Sequence, residues 1–164
     1  MMRPAVFLDR DGVINRSPPP GEYVRNWSEF EFFPSIFDWV RLFHSLDLPI
    51  IVVTNQRGIA LGRTMQAAVD DIHRRMTGEF ARRGCPITDV FVCPHMENSC
   101  DCRKPKPGMV LVAQRKWDLD LSRSLMIGDS DRDRDLALVC GMRFLRAADG
   151  TLSDEPLPDR IGEA

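Results

Sequence analysis

The chain has 164 residues, enough for one domain with a real core, so residues 1–164 are read as a single unit. Lys and Arg number 22 against 24 Asp and Glu, a formal net charge of −2, which argues against a nucleic-acid partner recruited by bulk charge. With hydrophobic residues at 43%, no run near the ~20 apolar residues of a membrane span and no apolar signal region before the first strand, a cytoplasmic globular protein without membrane contact is expected.

The first predicted element is a short buried strand, Ala5–Leu8, which delivers Asp9-Arg10-Asp11-Gly12. Asp9 and Asp11 lie two apart and would face one side of an extended backbone, where like charges repel unless a metal or a proton intervenes. Asp-Gly is also an ordinary turn signal, so the pair needs support from the rest of the chain. Arg16–Val24 follows, with three consecutive prolines and a glycine that exclude helix and continuous strand; a loop there is expected to form a substrate-facing rim. A helix is predicted over Ser35–Leu46, with Ile36, Val40 and Phe43 on one stripe.

Pro49–Val53 is a β-branched run suited to a parallel strand covered on both faces, and it ends in Thr54-Asn55-Gln56. The next helix is predicted over Thr64–Arg83, with Met65, Val69, Ile72, Met76 and Phe80 facing the core and His73 at the surface. Val90–Val92 is a third strand, Met109–Trp117 a helix, and Leu125–Ile127 a fourth strand ending in Gly128-Asp129-Ser130-Asp131. A helix to about Cys140, a last strand at Arg143–Leu145 and a peripheral tail from about Ala147 complete the chain.

Strands alternating with helices predict right-handed βαβ units and a doubly wound, Rossmann-like, mainly parallel α/β sheet. Ligands of such sheets bind beyond the carboxyl ends of the strands. Asp9, Thr54, the cysteine-rich loop and Asp129 each follow directly on a strand, so all four should meet on one edge. Five cysteines in a chain without export signals fit metal binding or free thiols better than disulfides. Cys93, His95, Cys100 and Cys102 supply three thiolates and an imidazole, a complete tetrahedral set for a structural Zn²⁺ with no open position. Its purpose would be to pin the loop and aim Arg103 and Lys104; Cys85 and Cys140 read as ordinary thiols.

Taken together, F-L-D-R-D-G-V-I-N, V-V-T-N-Q-R-G-I-A, C-P-H…C-D-C-R-K-P-K-P-G-M and I-G-D-S-D-R-D resemble the zinc-containing branch of the haloacid dehalogenase (HAD) phosphatases, over about Ala5–Leu145. The resemblance implies a Mg²⁺-dependent phosphatase for a small-molecule phosphate monoester, working through an aspartyl-phosphate, without a large cap domain and expected as a monomer. It makes Asp9 the nucleophile, Asp11 the acid and base, Thr54 a phosphoryl contact, and Lys104 the fixed charge that offsets the transition state. Mg²⁺ would be held by Asp9, the main-chain carbonyl of Asp11 and Asp129, with Asp133 behind them and Asn55 and Arg103 touching substrate.

Within that branch, Gly21–Phe33 and K-P-K-P-G-M resemble members acting on heptose 1,7-bisphosphate. The four-residue zinc spacer and the prolines of the rim resemble members acting on histidinol phosphate. The heptose members usually carry Lys where this chain has Ser130, so a phosphate contact is either missing or replaced, with nearby Arg132 the candidate. Cleavage of the 7-phosphate of a heptose bisphosphate is the expectation. A nucleic-acid 3′-phosphatase and a non-catalytic zinc-stabilised binding protein share the scaffold; the absence of a basic stripe disfavours the first and the intact acidic and basic set the second.

Overall fold

A computed structural model describes residues 1–152. In chain order they form β1 (Val6–Leu8), α1 (Ile36–Ser45), β2 (Ile50–Asn55), α2 (Gln66–Arg82), β3 (Asp89–Cys93), α3 (Gly108–Trp117), β4 (Leu125–Gly128), α4 (Asp131–Val139), β5 (Arg143–Ala148) and β6 (Thr151–Leu152). The sheet order is β3-β2-β1-β4-β5-β6, parallel from β3 through β5, with β6 antiparallel to β5.

Continuous apolar strands are what a sheet covered on both faces requires. Val6, Leu8, Ile50, Val52, Leu125 and Ile127 point to one face, where α1 and α2 lay down Val40, Phe43, Ile72, Met76 and Phe80. Their neighbours Phe7, Ile51, Val53 and Met126 point to the other, against Met109, Val110 and Ala113 of α3 and Leu136 and Ala137 of α4. Each such buried aliphatic or aromatic side chain contributes about 1.5–3 kcal/mol. The two layers fix the register, since a shift by one residue would exchange the faces of a strand.

The register places the functional edge. Leu8 is level with Val52 on one side and Ile127 on the other, so Asp9, Thr54 and Asp129 emerge beside one another. The chain leaves β1 to build β2 and β3 on one side, then crosses back to β4 on the other, and a crevice opens at such a reversal of strand order. Among the described residues no helix is long and apolar enough to cross a membrane.

Three expectations need correction. Met65 does not face the core: it precedes α2 with an extended backbone and is 73% exposed. The last parallel strand runs on to Ala148, and Thr151–Leu152 folds back against it, with Ala147 buried and Leu152 packed on the core; a tail does not begin at Ala147. The remainder of that expected tail, 153–164, lies outside the described residues. His73 is buried rather than at the surface, because the packing of α2 turns it under the loop after β1, where Arg10 takes up its ring nitrogen.

Candidate active site

Asp9 leaves β1 with one carboxylate oxygen fixed. Its Oδ1 accepts from the Arg10 backbone N–H at 2.7 Å and from Lys104 Nζ at 2.8 Å. No hydrogen bond holds Oδ2 among the described residues. Lys104 Nζ is also 2.8 Å from Oδ1 of fully buried Asp133, whose Oδ2 accepts from the backbone N–H and hydroxyl of Ser130. Ser130 and Asp133 thereby close a capping box at the start of α4. Glycine is required at two places here: a Cβ on Gly128 would stand 2.2 Å from the Asp133 side chain, and one on Gly12 would stand 1.9 Å from Asp129 Oδ2. The turn after Asp11 and the carboxylate of Asp129 are therefore in direct contact.

Carboxylate oxygens of Asp9, Asp129 and Asp133 come within 4.8 Å of one another. Burial pushes the Asp9 carboxyl well above its ordinary value, and the charges of Asp133 and Asp129 add to this against Lys104, which lowers it. Asp129 is raised as well, first by burial and then by Asp133. Burial opposes the charge on Lys104, but Asp9 and Asp133 outweigh it and its pKa rises. Three carboxylates facing one ammonium leave two negative charges uncompensated, which fits a hard divalent cation with oxygen ligands. Asp133 has both oxygens committed, so Asp9 and Asp129 are the side chains left to face such an ion.

Asp11 belongs to a different network. Its Oδ1 accepts from Arg10 Nη2 at 2.8 Å, Arg10 Nε at 3.2 Å and Asn15 Nδ2 at 2.9 Å, and its Oδ2 from Gln56 Nε2 at 3.1 Å. Burial raises this carboxyl, yet the Arg10 charge and the hydrogen bonds of Asn15, Arg10 and Gln56 win, leaving it below its ordinary value. Arg10 is fully buried, and its Nη1 meets His73 Nε2 at 3.1 Å. Burial, helped by the adjoining Arg10 charge, drives His73 down to about 3, so the ring is neutral and accepts from the guanidinium.

Thr54 is buried at the end of β2, its hydroxyl accepting from Gln56 Nε2 at 2.9 Å. Asn55, expected to touch substrate, has its amide on the Lys104 main chain: Oδ1 accepts from Lys104 N–H at 3.0 Å and Nδ2 donates to Lys104 C=O at 3.2 Å. Arg10, Asn15, Gln56 and His73 were not singled out from the sequence as part of the site. Arg10 carried a signal in its place between two aspartates; the others carry none without the fold.

Beyond β3 the cysteine loop closes on itself. Cys93 Sγ is 3.0 Å from Cys102 Sγ and 3.6 Å from Cys100 Sγ, and His95 Nδ1 is 3.2 Å from Cys102 Sγ, spacings that suit four ligands of one ion. Burial raises Cys102, and its thiol neighbours add to the rise. At Cys100 burial is outweighed by the backbone N–H groups of Arg103 and Cys102, which bring the thiol down to about 6. The loop is tied to the start of α3, since Lys106 Nζ donates to Cys100 C=O at 2.7 Å and a Cβ on Gly108 would meet Asp101 O at 2.4 Å. Cys85 and Cys140 lie outside this cluster.

Asp9, Asp11, Ser17, Asn55, Lys104, Asp129, Ser130 and Arg132 line one cavity of about 210 Å³. An adjoining cavity of about 240 Å³ is walled by Pro18–Val24 of the rim and by Arg57, Arg103 and Arg132. The segment after the rim faces elsewhere: Trp27 stacks on Phe30, both meet Phe32 edge-on, and Phe32 in turn packs against Phe37 and Phe80 in the core.

Residues 101–162 match the HAD-hydrolase-like family. The chain is 40% identical to the D-glycero-alpha-D-manno-heptose-1,7-bisphosphate 7-phosphatase of Campylobacter jejuni, over 84% of this chain and 78% of that one. It is 35% identical to the D-glycero-beta-D-manno-heptose-1,7-bisphosphate 7-phosphatase of Vibrio cholerae, over 87% and 79%. The D,D-heptose 1,7-bisphosphate phosphatase of B. bronchiseptica, solved with magnesium and phosphate, superposes with a TM-score of 0.82 at 29% identity, over 97% of this chain and 94% of that one. The fold and the relatives define a phosphoric monoester hydrolase of the HAD superfamily. The chain belongs to the family of HAD phosphatases that these relatives represent.

Proposed function

We propose that the protein removes the 7-phosphate of D-glycero-D-manno-heptose 1,7-bisphosphate through a phosphoryl-aspartate on Asp9. The cluster of Asp9, Asp129 and Asp133 around the single ammonium of Lys104, at the reversal point of the sheet, carries the reading. Asp9 Oδ2, held by no hydrogen bond among the described residues, is the oxygen free to bond phosphorus as the ester P–O bond breaks. Lys104 orients Asp9 through Oδ1 and offsets charge growing on the phosphoryl oxygens. Thr54, one strand away, offers its hydroxyl to the same group.

Asp11 gives a proton to the leaving oxygen and later takes one from the water that releases phosphate. Arg10, Asn15 and Gln56 hold it ready for the second of these steps; the arriving phosphate dianion works against those donors and raises its proton affinity for the first. Mg²⁺ fits beside Asp9 and Asp129, together with the main-chain carbonyl of Asp11, and would supply the positive charge that keeps Asp9 ionised and draws the phosphate in. Zn²⁺ fits Cys93, His95, Cys100 and Cys102 and would hold Arg103 and Lys104 in place. Arg103 is almost fully buried with its Nη1 unpartnered among the described residues, a group prepared for the distal phosphate of a bisphosphate.

The substrate follows from the relatives, whose names specify heptose 1,7-bisphosphate. Comparing kcat/KM for both anomers of that compound with kcat/KM for histidinol phosphate tests it, because specificity is a ratio of those constants. The bisphosphate should lead by about tenfold or more. The alpha anomer should be the better one, as identity is higher to the relative named for it (40% against 35%). A lead of that size for histidinol phosphate would overturn the heptose assignment.

A further inference from the structure

Four charged groups stand around the second cavity and the one beside it, and of these only Arg103 has a part in the steps above. Arg57 follows β2, Glu97 stands in the cysteine loop, Arg103 comes from the end of that loop, and Arg132 lies in the first turn of α4. Arg132 lines the catalytic cavity, the cavity walled by the rim, and a third of about 350 Å³ lined by Glu97, Arg103 and Lys104. It has no ion-pair or hydrogen-bond partner among the described residues. Glu97 Oε1 lies 3.5 Å from Arg57 Nη1 and 3.7 Å from Arg103 Nη2. Both distances exceed the 2.7–2.9 Å of a charge-assisted hydrogen bond, so this carboxylate, itself 61% exposed, is a loose counter-ion. Tyr23 of the rim braces Arg57 from the other side, and Gly58 leaves it room, since a Cβ there would stand 2.8 Å from the Tyr23 ring.

Three guanidiniums converge from three separate segments, one with a buried Nη1 unpartnered among the described residues, and a single, largely exposed carboxylate stands between two of them. We infer that Arg57 and Arg132 complete, with Arg103, a site for the second phosphate of the substrate, and that Glu97 is the internal anion which that phosphate displaces. The inference rests on the bisphosphate reading and deepens it. A dianion with three acceptor oxygens satisfies Arg103 Nη1 and engages Arg132, which a carboxylate on Glu97 does not. A monophosphate has nothing with which to displace Glu97. The three residues therefore select for a second anionic group and leave the bond-making steps to Asp9 and Asp11.

The test compares a sugar bisphosphate with the monophosphate of the same sugar, measuring kcat and KM in wild type, Arg57→Ala, Arg132→Ala and Glu97→Gln. Arg82→Ala, at the opposite end of α2, serves as a control for net charge. Loss of a charge-assisted contact to phosphate should lower the bisphosphate-to-monophosphate ratio of kcat/KM by about tenfold or more in each arginine variant, mainly through KM. Glu97→Gln should raise the ratio, and Arg82→Ala should leave it where it was. A wild type that prefers the bisphosphate and keeps that ratio within about threefold in both arginine variants overturns this inference alone. An unchanged or lower ratio in Glu97→Gln overturns the displacement. A wild type indifferent to the second phosphate removes the bisphosphate reading and this inference with it.

Discussion

Asp9 and Asp11 are two residues apart in sequence and belong to opposite electrostatic settings. Asp9 is raised, first by burial and then by the carboxylates around it, whereas Asp11 is gripped by Arg10, Asn15 and Gln56 and lowered despite its burial. In the proposed reaction both shifts must turn round: Mg²⁺ beside Asp9 would keep it ionised for attack, and the incoming phosphate would raise the proton affinity of Asp11 so that it can act as an acid. The sequence pattern announced the pair, but not the device that separates it, since Arg10 is aimed by His73 from a helix more than sixty residues on. That contact makes a testable demand on stability. Above pH 6.5 His73 is neutral whether folded or unfolded. Between pH 6.5 and about 3 the unfolded chain binds a proton that the folded protein refuses, so stability falls as pH falls through that window. Urea unfolding should show wild type losing about 1 kcal/mol more than His73→Gln between pH 6 and pH 5. Equal losses in the two proteins would mean that the imidazole is not held neutral.

At the scale of elements, strands and helices were read to within a few residues, because apolar runs and stripes report burial directly. The hairpin of β5 and β6 escaped that reading, since Thr151–Leu152 is too short to show a period and is held by pairing to Ala147 and Ala148. The rim loop of residues 16–24 was legible from its prolines and glycine, and Ser17–Val24 do line the cavity; the aromatic residues beyond it were not legible as core, since the place of Phe32 depends on Phe37 and Phe80. The grouping of Cys93, His95, Cys100 and Cys102 was legible, since ligand type and spacing suggest a tetrahedral set without reference to the rest of the chain. If that loop holds zinc, purified protein should carry about one equivalent, and Cys100→Ser should lose it together with most activity, as Arg103 and Lys104 lose their support. Less than about half an equivalent of metal in a fully active preparation would contradict a structural site.

For the whole molecule, the sheet converts sequence distance into proximity. Asp9, Thr54, Lys104 and Asp129 come from segments spread over most of the chain, and they meet because parallel strands in register end at the same height. That convergence could be argued from the alternation of strands and helices, whereas the pairing of Asn55 with the Lys104 backbone could not, since it depends on how the loop after β3 lies across the end of β2. The central claim is that Asp9 makes the bond to phosphorus. Phosphate release from heptose 1,7-bisphosphate, measured for wild type and Asp9→Asn with Mg²⁺ present, addresses it most directly. An amide nitrogen is no nucleophile, so Asp9→Asn should fall by more than about a thousandfold while circular dichroism remains that of wild type. A folded Asp9→Asn protein that releases phosphate at the wild-type rate would contradict the account.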